Sequence, residues 1–189
     1  MIDDGSRSVV SVNRQFSVHR VLFVCTGNIF RSLTAEYALR NVLGAGTDLI
    51  VASAGTEDFP HVVSPFVREY LFARGIDVSG HRRRTLTDHL LEKPGLVVAM
   101  STEHRSFLAQ RFNRPDVPLF TEACGLPSEP LPDVEEAVAD HKTNPAAVEA
   151  HMQRIIDRII ELSPHLAQRL MRTTSQIPNL YKPSRYSKT

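Results

Sequence analysis

The sequence predicts an α/β domain built on a doubly wound, four-stranded parallel sheet with helices on both faces. Short apolar runs rich in β-branched residues recur along the chain, and such runs are typical of strands that are buried on both faces. Segments with helical spacing of apolar residues alternate with these runs, which is the order that βαβ units require. Because ligands of such sheets bind beyond the carboxyl ends of the strands, the loops that follow the strands are the candidate sites.

The first two strands are predicted on either side of one helix. The apolar run at 18–24 predicts a buried strand. Apolar residues at every third or fourth position then predict a helix over 32–43, which Gly44 is expected to end. A second strand is predicted over 49–53, where the chain reads LIVAS. These elements form the first βαβ unit.

The same alternation continues through the middle of the chain. Ser64 is a suitable N-cap and Pro65 a suitable first-turn residue for a helix that ends before Gly75. A third buried strand is predicted over 96–100, and Ser101 is expected to cap the helix that follows it.

The last part of the chain is predicted to be mainly helical. The segment 117–120 predicts the fourth strand, and 121–143 reads as a long irregular stretch. Asn144 begins the last long helix, in which apolar residues recur at alternating intervals of four and three and form one apolar face. Pro164 is expected to interrupt this helix and to start a shorter one that ends at Arg172.

Length and composition predict a single domain from a reducing compartment. The 189 residues suit one folded domain, predicted over 18–172, between a polar extension at 1–17 and a Pro-rich tail at 173–189. The net charge of +1 argues against a nucleic-acid or membrane-surface binder, and the basic run at 82–84 is expected to be a solvated face. No apolar run suits a transmembrane helix or a secretory signal, and two cysteines form no disulfide framework. We therefore expect a cytoplasmic location.

The loop at 25–32, which reads CTGNIFRS, carries the predicted chemistry. It leaves a buried strand and runs directly into a helix, where backbone N–H groups and the helix dipole bind anions. Gly27 and Asn28 tolerate positive φ values, and Arg31 offers a planar fork to two phosphate oxygens. The same positive field favours the thiolate form of Cys25. A thiolate in line with a bound phosphorus atom predicts covalent phosphoryl transfer.

The sequence around this loop resembles the low-molecular-weight protein tyrosine phosphatase family. The stretch VLFVCTGNIFRSLTAEYAL matches the family signature, in which the loop reads Cys-x-Gly-Asn-x-x-Arg-Ser and the helix carries Ala-Glu. Further matches are VASAGT at 51–56, Gly-Ile-Asp at 75–77 and His-Arg at 81–82. The resemblance covers about residues 20–165 and is strongest up to residue 85. It implies hydrolysis of phosphomonoesters, with phosphotyrosine in a protein or a small aryl phosphate as substrate, through a phosphocysteine intermediate and without a metal or other cofactor.

The resemblance also assigns roles to individual residues. Cys25 is the expected nucleophile, and Arg31 is the expected ligand of the phosphoryl oxygens. The rest of the phosphate-binding loop comprises Thr26, Gly27, Asn28, Ile29, Phe30 and Ser32. Ser53 and His81 match positions that hold this loop rigid, and Phe59 lies where the family often has an aromatic wall beside the substrate ring.

Protonation of the leaving group needs a carboxylic acid, for which the sequence offers two Pro-Asp pairs. Asp116 leads straight into a predicted strand, whereas Asp133 lies in the long irregular stretch, and long loops in compact domains are often functional. The resemblance places the acid in a late Asp-Pro-aromatic loop, which favours Asp133, with Asp140 as a further candidate. Asp133 is expected to protonate the leaving group and then to activate water.

The acid loop departs from the family pattern, because Val-Glu-Glu follows Asp133 where the family has proline and aromatic residues. Two glutamates near an anionic substrate repel it, and no ring remains on that side of the pocket. Either Phe59 alone guides the substrate, or phosphotyrosine is not the preferred one. Ile29 favours an aryl phosphate, since the resemblance associates threonine at this position with phosphoarginine specificity.

Two alternative functions use the same loop. The altered acid loop suggests a catalytically weak phosphate-binding module that recognises a phosphorylated partner, although such a module has no need of the Cys25 thiolate. Thioredoxin-coupled arsenate reductases need two further cysteines in mid-chain, whereas Cys124 lies beyond that segment and is expected to be a structural thiol. The eight histidines show no metal-ligand spacing. The sequence gives no indication of an oligomeric state.

Overall fold

The computed structural model describes residues 19–60, 62–93 and 95–175, the last three of these as helical backbone only. Three parallel strands form its sheet, in the order β2-β1-β3: β1 is Arg20–Cys25, β2 is Ile50–Gly55 and β3 is Leu96–Ala99. Every residue of the central strand β1 is buried, which explains why all of its residues after Arg20 are apolar. Cys25 pairs with Gly55, so these two residues lie side by side at the carboxyl edge of the sheet.

Helices cover both faces of this sheet, as predicted. They are α1 (Arg31–Leu43), α2 (Pro65–Phe72), α3 (Asp88–Glu92), α4 (Thr102–Phe112), α5 (Phe120–Ala123), α6 (Val134–Ala137) and α7 (Pro145–Ser175). Helices α1, α2 and α7 pack on the face formed by Val21, Phe23 and Cys25. Helices α3 and α4 pack on the face formed by Leu22 and Val24. The alternation of side chains along β1 therefore separates two apolar cores.

The predicted helix starts are confirmed where a side chain caps the helix. Ser64 Oγ accepts a hydrogen bond from Val67 N at 3.3 Å, and Asn144 Oδ1 accepts one from Ala147 N at 3.1 Å. Ser101 is the N-cap of α4. Helices α3, α5 and α6 were not predicted, because elements of four or five residues are too short to show a hydrophobic period.

The prediction of a fourth strand over 117–120 is wrong. Leu119 forms only an isolated parallel bridge with Ala99, supported by a 2.9 Å hydrogen bond from Ala99 N to Pro118 O. Pro118 has no N–H with which to extend the ladder, and the chain enters α5 at Phe120. The described sheet therefore has three strands.

The predicted interruption of the last helix at Pro164 is also wrong. Helix α7 continues through Pro164 to Ser175. Its apolar face is buried in the same core before and after the proline, at Ile159 and at Leu166. This packing outweighs the cost of about 3 kcal/mol that a proline imposes inside a helix.

The predicted terminal segments fall largely outside the described residues. The extension at 1–17 lies outside them, and so does the segment 176–189 of the predicted tail. Helix α7 includes residues 173–175 and therefore extends past the predicted domain end at 172. In the part of the chain that the structure describes, no helix is both long and apolar enough to cross a lipid bilayer.

Candidate active site

The N-terminus of α1 is open to an anion. Cys25 is the last residue of β1 and Arg31 is the first residue of α1, so the loop between them joins the strand directly to the helix. The N-cap residue, Phe30, makes no side-chain capping bond, and the first turn holds no acidic residue. Because the first N–H groups of a helix have no partner within it, these groups and the helix dipole favour an anion at this point.

The Cys25 thiol lies against a hydroxyl group at the start of the helix. Its Sγ atom is 2.9 Å from Ser32 Oγ, and both side chains are buried. Ser32 Oγ accepts a hydrogen bond of 3.1 Å from Asn28 Nδ2, which leaves the hydroxyl hydrogen for the sulfur atom. A hydrogen bond of this kind stabilises a thiolate.

Asn28 stabilises the conformation of the loop through hydrogen bonds to the neighbouring segments. Its φ of 56° lies in the left-handed region, which asparagine tolerates better than most residues. Its Nδ2 donates to Ser53 Oγ at 2.7 Å, and its Oδ1 accepts from Arg84 N at 2.9 Å. The Asn28 carbonyl oxygen accepts from His81 Nε2 at 2.9 Å, and burial lowers the pKa of His81 below its usual value. Ser53 and His81 thus contact the loop as supports.

A buried carboxylate, Glu36 of α1, extends this support, although the sequence pattern alone predicts no role for it. Ser53 Oγ donates to Glu36 Oε2, and Arg84 Nη2 donates to both Glu36 oxygens at 3.0 and 2.9 Å. Arg40 completes the set with an ion pair of 2.6 Å. Two cations and a hydroxyl therefore compensate one buried charge. One feature of the sequence is nevertheless consistent with such a role: Glu36 lies on the apolar face of the predicted helix. Buried glutamates are rare unless they are paired with a cation or hydrogen-bonded.

The basic run at 82–84 also contacts the loop. Arg83 Nε donates to Gly27 O at 3.1 Å, and Arg83 Nη2 donates to Glu57 O. Arg83 and Arg84 are partly buried, whereas Arg82 is exposed. The expectation of a solvated face is therefore wrong for Arg83 and Arg84. The loop and β2 offer carbonyl acceptors to these guanidinium groups, and Glu36 of α1 offers a carboxylate.

Gly55 at the end of β2 lies directly under the loop. A Cβ atom on this residue would lie 2.5 Å from Thr26 O and 3.1 Å from Asn28 N. In proteins a Cβ atom essentially never lies within 3.0 Å of such an atom, so the contact with Thr26 O is forbidden. Only glycine lets the loop rest on β2 in this position, which gives a physical reason for the glycine in VASAGT.

Arg31 and the predicted acid, Asp133, are in contact. The Arg31 guanidinium is 1% exposed; its Nη1 donates to Leu131 O at 3.1 Å, and its Nη2 donates to Thr26 Oγ1 at 3.1 Å. The same Nη2 forms an ion pair with Asp133 Oδ2. Asp133 is also the N-cap of α6, where its Oδ1 accepts from Val134 N at 2.9 Å. The acid loop is therefore anchored by a short helix.

These groups surround one cavity of about 310 Å³. Its lining consists of Cys25, Thr26, Gly27, Ile29, Phe30, Arg31, Glu57, Asp133, Val134, Glu135, His141 and Met152. The cavity brings the expected nucleophile, phosphate ligand and acid together, and neither Asp116 nor Asp140 is part of its lining. Among the three candidate acids, Asp133 is the one that lines the same cavity as Cys25.

The structure does not bring Phe59 to this cavity. The Phe59 side chain is 63% exposed and is not part of the lining, to which the same loop contributes Glu57 instead. Arg83 binds the Glu57 carbonyl, and Thr85 Oγ1 donates to Asp58 Oδ1 at 2.9 Å. These bonds hold the loop after β2 along the 83–85 segment. Phe59 therefore does not form the aromatic wall of the cavity that the resemblance implied.

His104 of α4 reaches the loop from the other face of the sheet, and the sequence analysis did not identify it. It is buried, and its Nδ1 accepts a hydrogen bond of 3.1 Å from Ser101 N. Its Nε2 lies 3.0 Å from Thr26 Oγ1. Burial, and secondarily the charge of Arg31, lowers the pKa of His104 to about 3, although Asp133 acts in the opposite direction. His104 is therefore neutral at ordinary pH.

We predict that His104 makes the folded protein sensitive to acid. Between about pH 6.5 and pH 3 the unfolded chain binds a proton at His104 that the folded protein does not bind, so stability is lost as the pH falls. From pH 7 to pH 5 this contribution to the free energy of unfolding falls by about 2 kcal/mol. Urea denaturation at pH 7 and at pH 5 measures the free energy of unfolding of each protein. The decrease in this free energy from pH 7 to pH 5 is expected to be about 2 kcal/mol smaller in His104→Asn than in the wild type.

The matched control for this comparison is His89→Asn, at a side chain that is 75% exposed. The control is expected to retain the acid sensitivity of the wild type. His81, whose pKa is also lowered, contributes equally to all three proteins. Equal acid sensitivity in His104→Asn and the wild type would contradict a neutral, buried His104.

The second cysteine, Cys124, is not part of the cavity lining. Cys124 is buried in the apolar core, and burial raises the pKa of its thiol to about 12. A buried thiol of this kind is chemically inert. Among residues 19–175, apart from positions 61 and 94, no group of three or more His, Cys, Asp or Glu side chains is arranged to hold a metal ion.

Comparisons with known proteins agree with this architecture. A family model described as low molecular weight phosphotyrosine protein phosphatase matches residues 20–176. The chain is 35% identical to the protein-arginine-phosphatase of Bacillus subtilis (strain 168), over 53% of this chain and 68% of that protein. It is 37% identical to an arsenate reductase of Staphylococcus xylosus, over 44% of this chain and 60% of that protein. A solved mutant of the YwlE arginine phosphatase with a phosphorylated active-site serine is 26% identical, with a TM-score of 0.68 over 81% of this chain and 96% of that one.

Proposed function

Since the chain belongs to the low molecular weight phosphotyrosine protein phosphatase family, we propose that it removes phosphoryl groups from protein side chains through a phosphocysteine intermediate at Cys25. One observation carries this function: Cys25, Arg31 and Asp133 line a single cavity. A hydrogen bond between Ser32 Oγ and the Cys25 sulfur agrees with it. The phosphorylated serine in the active site of the YwlE mutant supports a covalent intermediate in a related protein.

The first chemical step transfers the phosphoryl group to sulfur. The Cys25 thiolate attacks phosphorus, and the S–P bond forms as the bond from phosphorus to the leaving oxygen breaks. The Arg31 fork and the N–H groups of the loop neutralise the phosphoryl oxygens, where charge is concentrated. Asp133 in its protonated form gives its proton to the leaving oxygen, so that the side chain departs as a neutral alcohol or phenol.

The second step hydrolyses the phosphocysteine. The Asp133 carboxylate takes a proton from a water molecule, whose oxygen attacks phosphorus. The S–P bond breaks, inorganic phosphate is formed, and the electron pair returns to sulfur. The Ser32 hydroxyl stabilises the thiolate as it leaves, since its hydrogen is available to the sulfur atom.

Phosphotyrosine in a protein is the first candidate substrate. The cavity offers apolar surface at Ile29, Phe30 and Met152, against which an aromatic ring packs well. Phe30 and Met152 thus take the place that the sequence analysis gave to Phe59. A phosphorylated protein is accordingly the proposed partner, and the cytoplasmic location stays a prediction.

The experiment that tests this function traps the intermediate. In Asp133→Ala, the general base of the second step is missing, whereas para-nitrophenyl phosphate has a leaving group that needs little protonation. Acid quenching during turnover is therefore expected to reveal the mass of one phosphoryl group on the Cys25 peptide, while kcat falls about 10²- to 10⁴-fold.

Two matched variants test the assignment of the acid. Asp116→Ala and Asp140→Ala are expected to keep wild-type turnover, since neither residue lines the cavity. Loss of turnover in Asp140→Ala with retention in Asp133→Ala would transfer the role to Asp140. Quenched protein that carries no phosphoryl group on Cys25 would contradict the covalent mechanism.

The structure weakens both alternative functions. The phosphate-binding module was suggested by the altered acid loop, but Asp133 of that loop lines the same cavity as Cys25. An arsenate reductase of the thioredoxin-coupled type relays oxidation through further thiols, and this chain contains only two cysteines. The second of these, Cys124, is buried with a raised pKa and is a poor candidate for such a relay.

Phosphoarginine is a second candidate substrate, supported by the charge of the cavity. Glu57, Asp133 and Glu135 all line it, and a carboxylate at the mouth attracts a cationic group and repels an anionic one. A phosphorylated guanidinium group carries positive charge beside its phosphoryl group, whereas a phosphorylated phenol does not. One relative is named as a protein-arginine-phosphatase, which agrees with this substrate.

Two peptides with the same sequence, one with phosphotyrosine and one with phosphoarginine, separate these candidates. If phosphoarginine is the substrate, Glu135→Gln is expected to lower kcat/KM for that peptide about two- to fivefold and to raise it slightly for phosphotyrosine. Glu136→Gln is the matched control, because Glu136 lies on the same helix but does not line the cavity. Higher kcat/KM for phosphotyrosine in every protein would exclude phosphoarginine as the preferred substrate.

A further inference from the structure

The hydroxyl group of Thr26 receives two hydrogen bonds from within the protein. His104 Nε2 lies 3.0 Å from Thr26 Oγ1, and Arg31 Nη2 donates to the same oxygen at 3.1 Å. The two donors come from different parts of the chain, α4 and the first residue of α1. Thr26 itself follows Cys25 directly and lines the cavity.

The direction of the bond from His104 follows from its other nitrogen. Two groups of Ser101 contact His104 Nδ1: the hydroxyl at 2.8 Å, which can donate or accept, and the backbone amide at 3.1 Å, which can only donate. The amide therefore decides the direction, and the hydroxyl donates to the same nitrogen. Nδ1 therefore carries no hydrogen, so the hydrogen of the neutral ring is on Nε2. His104 Nε2–H must then donate to Thr26 Oγ1, and the lowered pKa of His104 agrees with a ring that carries one hydrogen.

This arrangement leaves the Thr26 hydroxyl only one role toward the cavity. A hydroxyl oxygen has two lone pairs and one hydrogen, and the bonds from His104 and Arg31 use both lone pairs. The Thr26 O–H can therefore act only as a donor to a group in the cavity. Two acceptors of the cavity already have donors: the Cys25 sulfur has the Ser32 hydroxyl at 2.9 Å, and the Asp133 carboxylate has Arg31 Nη2 and Val134 N. A phosphoryl oxygen bound beside Cys25 is the further acceptor that the Thr26 O–H can serve.

We infer that Thr26 donates its hydroxyl hydrogen to a phosphoryl oxygen of the substrate, and that His104 is a positioning residue that fixes Thr26 in this donor role. The role rests on the phosphatase function proposed above and adds a side-chain donor to the backbone of the loop. A donor whose direction is fixed before substrate binds needs no reorganisation during the reaction, which is the property that makes preorganised donors effective.

Four single variants separate the donor from its support. Thr26→Val removes the hydroxyl and keeps the shape, whereas Thr26→Ser keeps the hydroxyl. His104→Asn keeps an acceptor for Ser101 N but loses the donor to Thr26, whereas His104→Gln has an amide long enough to donate to Thr26. We expect kcat/KM for para-nitrophenyl phosphate to fall about 10- to 100-fold in Thr26→Val and about 3- to 30-fold in His104→Asn. Thr26→Ser and His104→Gln are expected to retain most of the activity.

The double variant Thr26→Val with His104→Asn tests whether His104 acts through Thr26. If it does, the double variant loses no more activity than Thr26→Val alone, since the donor is already absent. Losses that multiply would overturn the positioning role of His104. Wild-type activity in a folded Thr26→Val protein would overturn the donor role of Thr26, and thermal unfolding monitored by circular dichroism establishes that each variant is folded.

Binding of inorganic phosphate, measured by calorimetry, separates this inference from the proposed function. Thr26→Val is expected to bind phosphate about tenfold more weakly than the wild type, and Thr26→Ser is expected to bind it equally well. If the wild type binds phosphate but does not turn over para-nitrophenyl phosphate, the phosphatase function fails, and the phosphate affinities of these two variants still decide the donor role. Equal affinity in the wild type and Thr26→Val would overturn it.

Discussion

Replacing Cys25 by serine is expected to reduce turnover of para-nitrophenyl phosphate at least about 10⁴-fold, while inorganic phosphate continues to bind. A serine hydroxyl is not ionised at neutral pH, so the cavity keeps its shape and its anion ligands but loses its nucleophile. Arg31, the open N-terminus of α1 and the Asn28 supports remain in place. Initial rates between pH 5 and pH 8, together with calorimetric titration of phosphate, measure the two properties separately.

Cys124→Ala is the matched control, because it removes the other thiol from a buried position that is not part of the cavity lining. Its turnover is expected to equal that of the wild type. Full activity in Cys25→Ser would contradict a cysteine nucleophile. A wild type that binds phosphate under reducing conditions but turns nothing over would instead support the phosphate-binding module.

Gly55→Ala is expected to reduce kcat/KM about 10²-fold, although residue 55 does not line the cavity. The added Cβ atom would lie 2.5 Å from the Thr26 carbonyl oxygen, so the loop or the strand must move. The central strand β1 and the supports of Asn28 resist that movement, and the result is strain together with displaced anion ligands. A displacement of about 1 Å is enough for a loss of this size.

The control for this substitution is Gly46→Ala, where a Cβ atom meets nothing within 4 Å and φ is not positive. This variant is expected to keep wild-type activity and stability. Thermal unfolding and kcat/KM of both variants give the comparison. Wild-type kcat/KM in a folded Gly55→Ala protein would show that the loop is not held as tightly as its contacts indicate.

The catalytic loop could be predicted from the sequence because it is local. Cys25, Arg31 and the residues between them are consecutive, and their chemistry depends on a strand that leads into a helix, which hydrophobic patterning detects. Asp133 is distant in the chain, and its choice over Asp116 depended on the resemblance and on the length of the loop around it. The structure places Asp133 in the cavity and so favours the same residue.

The supports of the loop could not be predicted in the same way. Glu36 and His104 are polar residues on helix faces, and their partners come from segments that only the folded chain brings together. The position of Phe59 depends on hydrogen bonds between two loops, which no sequence period encodes. The error at Pro164 has another cause, since local propensity predicts a break where tertiary packing preserves the helix.

The ion pair between Arg31 and Asp133 places a competitor for the phosphoryl group within the protein itself. In the proposed mechanism Arg31 holds the phosphoryl group and Asp133 serves as acid and base, and the structure pairs these two side chains with each other. An incoming phosphoryl group must displace Asp133 from Arg31, and the same exchange releases the carboxyl group next to the leaving atom. Away from the guanidinium the carboxylate can take up the proton that it later gives to the leaving group, so occupancy of the anion site and protonation of Asp133 are linked.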